Sequence, residues 1–332
     1  MIIKSIKLVN FRNHNNYLLD CDDNTSLILG ENGSGKTSVL EAIYISTRGK
    51  SFRATDPEII KTGTEFYRIE LEYDNGEKIL TLYDGKSKTF SILDKKSKRL
   101  PKKYKYPVIL FLPSDLNLIS HSPGRRRDYF DRVFSEFDET YNQDLSKYEK
   151  SLKQRNELLK NETLSPESCF SWNLMLAKYG SAINKKRQKF IQEINSHLTD
   201  TYRSIAENND QVEIIYKTDV NNLSESDYLK TLENNFKKDS YLGHTSFGIH
   251  RDDYIFYFNH KPADGSASRG ETRSIVLALK FIEAKLIYQK QQRKPLILLD
   301  DVFSELDPTR RRCLIKNFKD HQVIITSVEA IS

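Results

Sequence analysis

The chain of 332 residues is long enough to bury a substantial core, as one large domain or two. Hydrophobic residues make up 38% and charged residues 30%, and the formal net charge of +6 permits nucleic-acid binding without requiring it. Cys21, Cys169 and Cys313 are too scattered for a disulfide framework or zinc site, no apolar run reaches membrane-span length, and the first residues lack a signal-peptide core, all of which fits the reducing cytoplasm.

In chain order, Ile2, Ile6 and Leu8 alternate with polar residues and predict a half-buried strand running to Phe11, Arg12 and Asn13. On spacing alone, Arg12 and Asn13 read as a surface turn. The apolar run 25–29 predicts a buried strand. It ends at Gly30-Glu31-Asn32-Gly33-Ser34-Gly35-Lys36-Thr37, which fits G-x-x-x-x-G-K-[ST]; residues 38–45, beginning with Ser38, continue at helical spacing. The residue types suit phosphate. Gly30, Gly33 and Gly35 allow a tight path that points several N–H groups inward, and the positive end of the following helix strengthens that nest. Lys36 can reach the β- and γ-phosphates, and the Thr37 hydroxyl can ligate Mg²⁺. A nucleoside triphosphate is the expected ligand.

Residues 48–53 read as a basic turn. Residues 67–73, 78–83 and 89–93 alternate and are separated by Asp74-Asn75-Gly76 and Asp84-Gly85, which predicts an antiparallel meander. The basic run 95–105 reads as a solvated loop, with a DNA-facing loop as the alternative. Residues 108–112 predict a buried strand that stops at Pro113-Ser114-Asp115. From 125 to about 206 glycine is scarce and apolar residues fall at helical spacing. Tyr129, Val133, Phe137, Tyr141 and Tyr148 lie on one stripe; Leu176, Ile183, Phe190 and Leu198 lie on the returning one. This predicts an antiparallel helical arm inserted between two halves of a nucleotide-binding domain. Strands resume at 212–216 and 254–258. Between them, Gly248-Ile249-His250-Arg251-Asp252-Asp253 reads as a structural salt bridge or a nucleotide sensor.

The apolar run 295–299 ends in Asp300-Asp301, the form of a Walker B strand. Asp300 would support Mg²⁺ through a water, and Asp301 stands where it could orient or activate the attacking water. Ser268-Arg269-Gly270-Glu271 opens a helical run and offers a hydroxyl, bare backbone N–H groups and a positive dipole end. That is a second phosphate-binding device. The P-loop already holds the one γ-phosphate, so the second device is expected to complete the site of another copy, in a head-to-tail C2 homodimer.

In order and spacing these elements resemble ATP-binding-cassette ATPases, in the branch that holds SMC proteins and the Rad-type break-repair ATPases. Asn10-Phe11-Arg12-Asn13, Gly30-Glu31-Asn32-Gly33, Gly49-Lys50-Ser51-Phe52-Arg53, Pro113-Ser114-Asp115-Leu116, Gly248 with His250-Arg251-Asp252-Asp253, and Leu299-Asp300-Asp301-Val302-Phe303-Ser304-Glu305-Leu306-Asp307 narrow the resemblance. It is to the RecF family of bacterial recombination-mediator ATPases, and it runs the length of the chain.

The resemblance implies an α/β fold: an SMC-type P-loop ATPase head built from both chain ends, residues 1–118 and 208–332, with a helical arm at 119–207. It implies a dimer formed on ATP and Mg²⁺ that binds duplex DNA beside single-stranded gaps without sequence preference. Such proteins act with RecR and RecO to load RecA, and hydrolyse ATP slowly as a timer. By position, Arg12 and Asn13 would touch the nucleotide, against the surface-turn reading above. Residues Gly30, Glu31, Asn32, Gly33, Ser34, Gly35, Lys36, Thr37 and Ser38 would hold phosphate. Thr37 and Asp300 would hold the metal, and Lys36, Asp300 and Asp301 would serve hydrolysis. Ser268, Gly270 and Glu271 would act across the dimer, with Asp307 as the D-loop acid.

Three positions depart from the cassette pattern. The signature reads Ala-Ser-Arg-Gly-Glu; Asp301 is shorter than the usual Glu and is expected to slow hydrolysis; and only Thr326 or Ser327 is available as γ-phosphate sensor. Asp115 is the nearest candidate for a Q-loop residue. Lys50-Ser51-Phe52-Arg53, Arg125-Arg126-Arg127 and Lys185-Lys186-Arg187 are candidate DNA-phosphate contacts or solvated faces. The competing classes are another SMC-like ATPase of a nuclease or defence system, which would carry a longer coiled coil or a nuclease domain, and a transporter-type cassette ATPase, which would carry a Q-loop Gln and a switch His.

Overall fold

The structure, a computed structural model, describes residues 2–161 and 165–328. They form two compact units, Met1–Asp115 with Glu283–Ser332, and Leu116–Ile282.

The first unit contains two sheets. One is parallel, in the order Thr25–Leu29, Val323–Ser327, Leu296–Asp300, Val108–Phe111. Val323–Ser327, Leu296–Asp300 and Val108–Phe111 are buried along their whole length, as parallel strands covered on both faces require. The other sheet is antiparallel, in the order His14–Asp20, Ile3–Phe11, Tyr67–Tyr73, Lys78–Tyr83, Lys88–Ile92, Lys95–Ser97. Helix Lys36–Arg48 touches strands of both sheets and is buried almost throughout, with the polar Ser38, Glu41, Ser46 and Thr47 among its buried residues. Gly49, at φ 84°, ends it by returning its N–H to the Ile45 carbonyl.

The meander expected from residues 67–93 is present. Two strands depart from the sequence reading. His14–Asp20 pairs with Ile3–Phe11, and Lys95–Ser97 forms an edge strand within the run expected to be a loop.

Parallel pairing also fixes where the chemistry gathers. Asp300 pairs with Thr326, and Ser327 pairs with Leu29, so three strands end side by side. Crevices outside the carboxyl ends of such strands are where open α/β sheets bind ligands.

The second unit holds helices Pro123–Phe137, Glu139–Leu159 and Phe170–Ala206, two shorter helices, Glu225–Asn234 and Phe236–Leu242, and a three-stranded sheet. Its core is aromatic: Phe130 and Tyr254 lie 4.2 Å apart by ring centroid, Phe134 and Phe190 5.0 Å. The unit boundaries fall at 115/116 and 282/283, where the sequence reading divided the chain at 118/119 and 207/208. Residues 208–282 group with the helices for a local reason. Asn195 on the long helix exchanges two hydrogen bonds with the backbone of Ile214 (2.8 and 2.9 Å), and the Thr199 hydroxyl donates to the Val212 carbonyl (2.8 Å). Among the described residues, no helix is long and apolar enough to cross a membrane.

Candidate nucleotide-binding site

The loop 30–35 leaves the Thr25–Leu29 strand and feeds helix Lys36–Arg48. Gly35 sits at φ 98°, in the left-handed region, and a Cβ there would lie 2.5 Å from both Asn13 and His14. The backbone conformation therefore favours glycine, and a side chain there would also push Asn13 and His14 off the loop. Asn13 Nδ2 donates to the Gly33 carbonyl (3.2 Å), and His14 Nε2 lies 3.2 Å from the Gly35 carbonyl, so the first hairpin grips the loop from outside. Lys36 is buried, and its ammonium donates to the carbonyls of Gly30 and Glu31, the latter at 3.0 Å.

Across the sheet edge stand the acids. The Thr37 hydroxyl is 2.8 and 2.9 Å from the two Asp300 oxygens. Thr326, fully buried, donates to Asp300 Oδ1 (2.9 Å) and accepts the Asp301 N–H (2.9 Å), so one hydroxyl orients both acids. Asp301 adopts a left-handed backbone at φ 50°, a conformation that costs a side-chain-bearing residue about 1 kcal/mol and that Asp tolerates better than most. Its Oδ1 is buried without a hydrogen-bond partner. Burial raises its carboxyl above the ordinary range; Lys36 opposes that rise, and Asp300 and Glu305 add to it.

A cavity of about 660 Å³ is lined by Arg12, Asn13, Asn32, Gly33, Gly35, Lys36, Thr37, Ser38, Asp300 and Asp301, by Arg53, which the sequence offered as a DNA contact, and by Glu58, Ile60, Lys61 and Thr62, which it left unassigned. The volume is that of a ligand pocket. Glu41 organises the cationic side. It is wholly buried on the P-loop helix and accepts from Arg12 Nε and Nη2 (3.0 and 2.9 Å), from Arg53 Nε and Nη2 (3.1 and 2.9 Å) and from the Ser51 hydroxyl (2.6 Å). Burial works to raise its carboxyl, but Arg12, then Arg53 and Ser51, outweigh it and hold the group below the ordinary carboxylate range.

The remaining predicted residues lie outside the cavity lining. Gly30, Glu31 and Ser34 shape the loop, and Thr326 stands behind the acids. Asp307 caps helix Pro308–Phe318 through the Arg310 N–H (3.0 Å). Asp115 accepts from the Leu112 N–H (3.2 Å) and closes its own turn. In the second unit, Ser268 and Glu271 form a reciprocal capping box at the start of helix Arg269–Gln291: the Ser268 N–H donates to Glu271 Oε2 (2.6 Å) and the Glu271 N–H to Ser268 Oγ (3.3 Å). Gly270 lies between them. Asp252 and Asp253 take the structural role weighed for them, holding Arg187 (2.8 Å) and Arg126 (2.8 Å). His250, hydrogen-bonded to Tyr148 (2.8 Å), is pushed down to about 4 by burial, a neutral structural group.

Residues 1–327 match the family model described as an AAA ATPase domain. The DNA replication and repair protein RecF of Clostridium perfringens is 36% identical over 336 residues, covering 98% of this chain and 92% of that protein. The chain belongs to the RecF family. The RecF of Ruminiclostridium cellulolyticum is 33% identical with the same coverage. A solved structure of the recombination mediator protein RecF–ATPrS in the RecFOR pathway superposes with a TM-score of 0.88 at 29% identity, covering 99% of this chain and 92% of that one. Its RecF–ATP counterpart gives 0.87. RecF membership confirms the P-loop ATPase head read from the sequence.

Proposed function

We propose that this chain is an ATP-switched DNA-binding protein of recombinational repair and replication restart, working in the cytoplasm. The observation that carries the reading is the junction of Thr37 and Asp300 at the mouth of a cavity that also holds Lys36, Arg12 and Asp301. Lys36, the loop N–H groups and Arg12 bind and orient the ATP phosphates. Thr37 and Asp300, hard oxygen donors already in contact, fit Mg²⁺, which needs few protein ligands because water and phosphate complete its shell. When bound, the ion neutralises charge on the phosphates. Asp301, which lines the cavity and keeps one carboxylate oxygen free of hydrogen bonds, takes the proton of the attacking water.

Ser268 and Gly270 act on the ATP of a second copy, so ATP drives head-to-tail dimerisation. The capping box supports this role: it uses Ser268 Oγ as an acceptor and fixes the helix start, while the Arg269 and Gly270 N–H groups stand at its positive end. The dimer binds duplex DNA beside gaps and acts with RecR and RecO. Sedimentation with and without ATP and Mg²⁺, and with gapped DNA, tests the reading. The wild type should dimerise and bind DNA only with ATP, and Lys36→Met should do neither; an ATP-independent monomer that ignores DNA would overturn it.

A further inference from the structure

The cations that the sequence offered as DNA contacts are mostly engaged inside the protein. Arg53 binds Glu41; Arg126 holds both Asp253 oxygens (2.8 Å each); Arg127 donates to the Asp252 carbonyl (2.7 Å). Lys186 binds Asp144 (3.0 Å), and Arg187 is buried against Asp131 and Asp252.

The segment 95–105 is different. Lys95, Lys96, Lys98, Arg99, Lys102, Lys103 and Lys105 are seven cations in eleven residues, with no carboxylate among them. Without them the chain would carry 45 Lys and Arg against 46 Asp and Glu, so this one segment holds the whole positive excess. All but Lys105 are exposed, and among the described residues Lys95, Lys96, Lys98, Arg99 and Lys103 form no ion pair. The backbone beneath them is fixed. Lys95–Ser97 is the free edge of the six-stranded sheet, Leu100 is buried in the core, and Tyr106 is tied to the carbonyl of Lys294 (3.0 Å). Lysine on an edge strand deters strand pairing, but that accounts for Lys95 and Lys96 alone.

We propose that residues 95–105 form the duplex-DNA phosphate-binding surface of the first unit. The inference rests on the DNA-binding reading above. Exposed cations on an ordered backbone suit a polyanion held through its phosphates, and phosphate contacts carry no sequence preference.

The test is the quadruple variant Lys95→Gln, Lys96→Gln, Lys98→Gln, Arg99→Gln, assayed for duplex DNA with ATP between 50 and 200 mM KCl. A control variant removes four exposed lysines elsewhere: Lys150→Gln, Lys153→Gln, Lys237→Gln, Lys238→Gln. Each lost phosphate contact lowers the salt slope by about 0.9, so the first variant should lose about 3–4 from its slope and bind at least tenfold more weakly at low salt. ATP binding, read with a fluorescent analogue, should be unchanged. An unchanged slope in the first variant, or an equal loss in the control, overturns the proposal. So does loss of binding to phosphatidylserine vesicles with DNA affinity intact. If the wild type itself fails to bind DNA with ATP, the function reading has failed instead.

Discussion

The Thr37 hydroxyl lies 2.8 Å from one Asp300 oxygen and 2.9 Å from the other, across 263 residues of sequence. The pair gathers hard oxygen donors at one point without a cluster of acids, and among the described residues there is no group of three or more His, Cys, Asp or Glu suited to a metal. Metal dependence should therefore pass through these two side chains and the nucleotide. Asp300→Asn is expected to weaken ATP binding at least tenfold in Mg²⁺, yet by less than twofold in EDTA, as isothermal titration would show. Equal losses in both buffers would assign Asp300 a structural role.

Glu41 sets up a stability test. Glu41→Ala leaves Arg12 and Arg53 without their carboxylate and opens space in the core; because both arginines are partly solvated, the cost is expected to be about 2 kcal/mol in urea unfolding. The pH dependence has a definite sign. The folded carboxyl lies below its ordinary value of 4.5, so its contribution is complete above about that pH and is lost as the pH falls through the depressed folded value. Glu41→Ala should flatten that acid limb.

Asp301 gives the opposite case. Its carboxyl lies above the ordinary 3.8, so ATP turnover, which needs the ionised base, should fall as pH drops through a value higher than 3.8. Asp301→Asn suits the left-handed backbone and removes a poorly solvated charge. The variant should be at least as stable as the wild type while turning over at least a hundredfold more slowly and still dimerising on ATP. A destabilised variant would point to strain relieved by the carboxylate.

The capping box separates two roles at the helix start. Glu271→Gln preserves the box, since glutamine accepts the same N–H, and should leave ATP-driven dimerisation within threefold. Ser268→Ala removes a cap worth about 1 kcal/mol and the hydroxyl offered to the second nucleotide, and should raise the dimer dissociation constant tenfold or more by sedimentation.

The P-loop was legible because its requirements are local: glycine conformations, a lysine and a hydroxyl within eight consecutive residues. Asp300 and Asp301 were legible for the same reason, as the polar end of an apolar strand. Glu41 was not. Its partners lie 29 and 12 residues away, and a carboxylate one turn beyond Thr37 reads as the solvent side of a helix until both sheets close over it. Arg12 carried no signal of its own and was reached only through family resemblance. The strand His14–Asp20, with two Asn and four of its seven residues exposed, depends on its neighbour for order, and Lys95–Ser97 offers no apolar alternation to detect.

Among the described residues, the strand that delivers the P-loop has one partner, Val323–Ser327, which lies between it and Leu296–Asp300. During synthesis Thr25–Leu29 must therefore wait for Val323–Ser327. At roughly 5–20 residues per second that delay is about 15–60 s. Through that interval the glycine loop is exposed without its sheet, so a nascent chain cannot hold ATP in a finished site before its own C-terminal strand has left the ribosome.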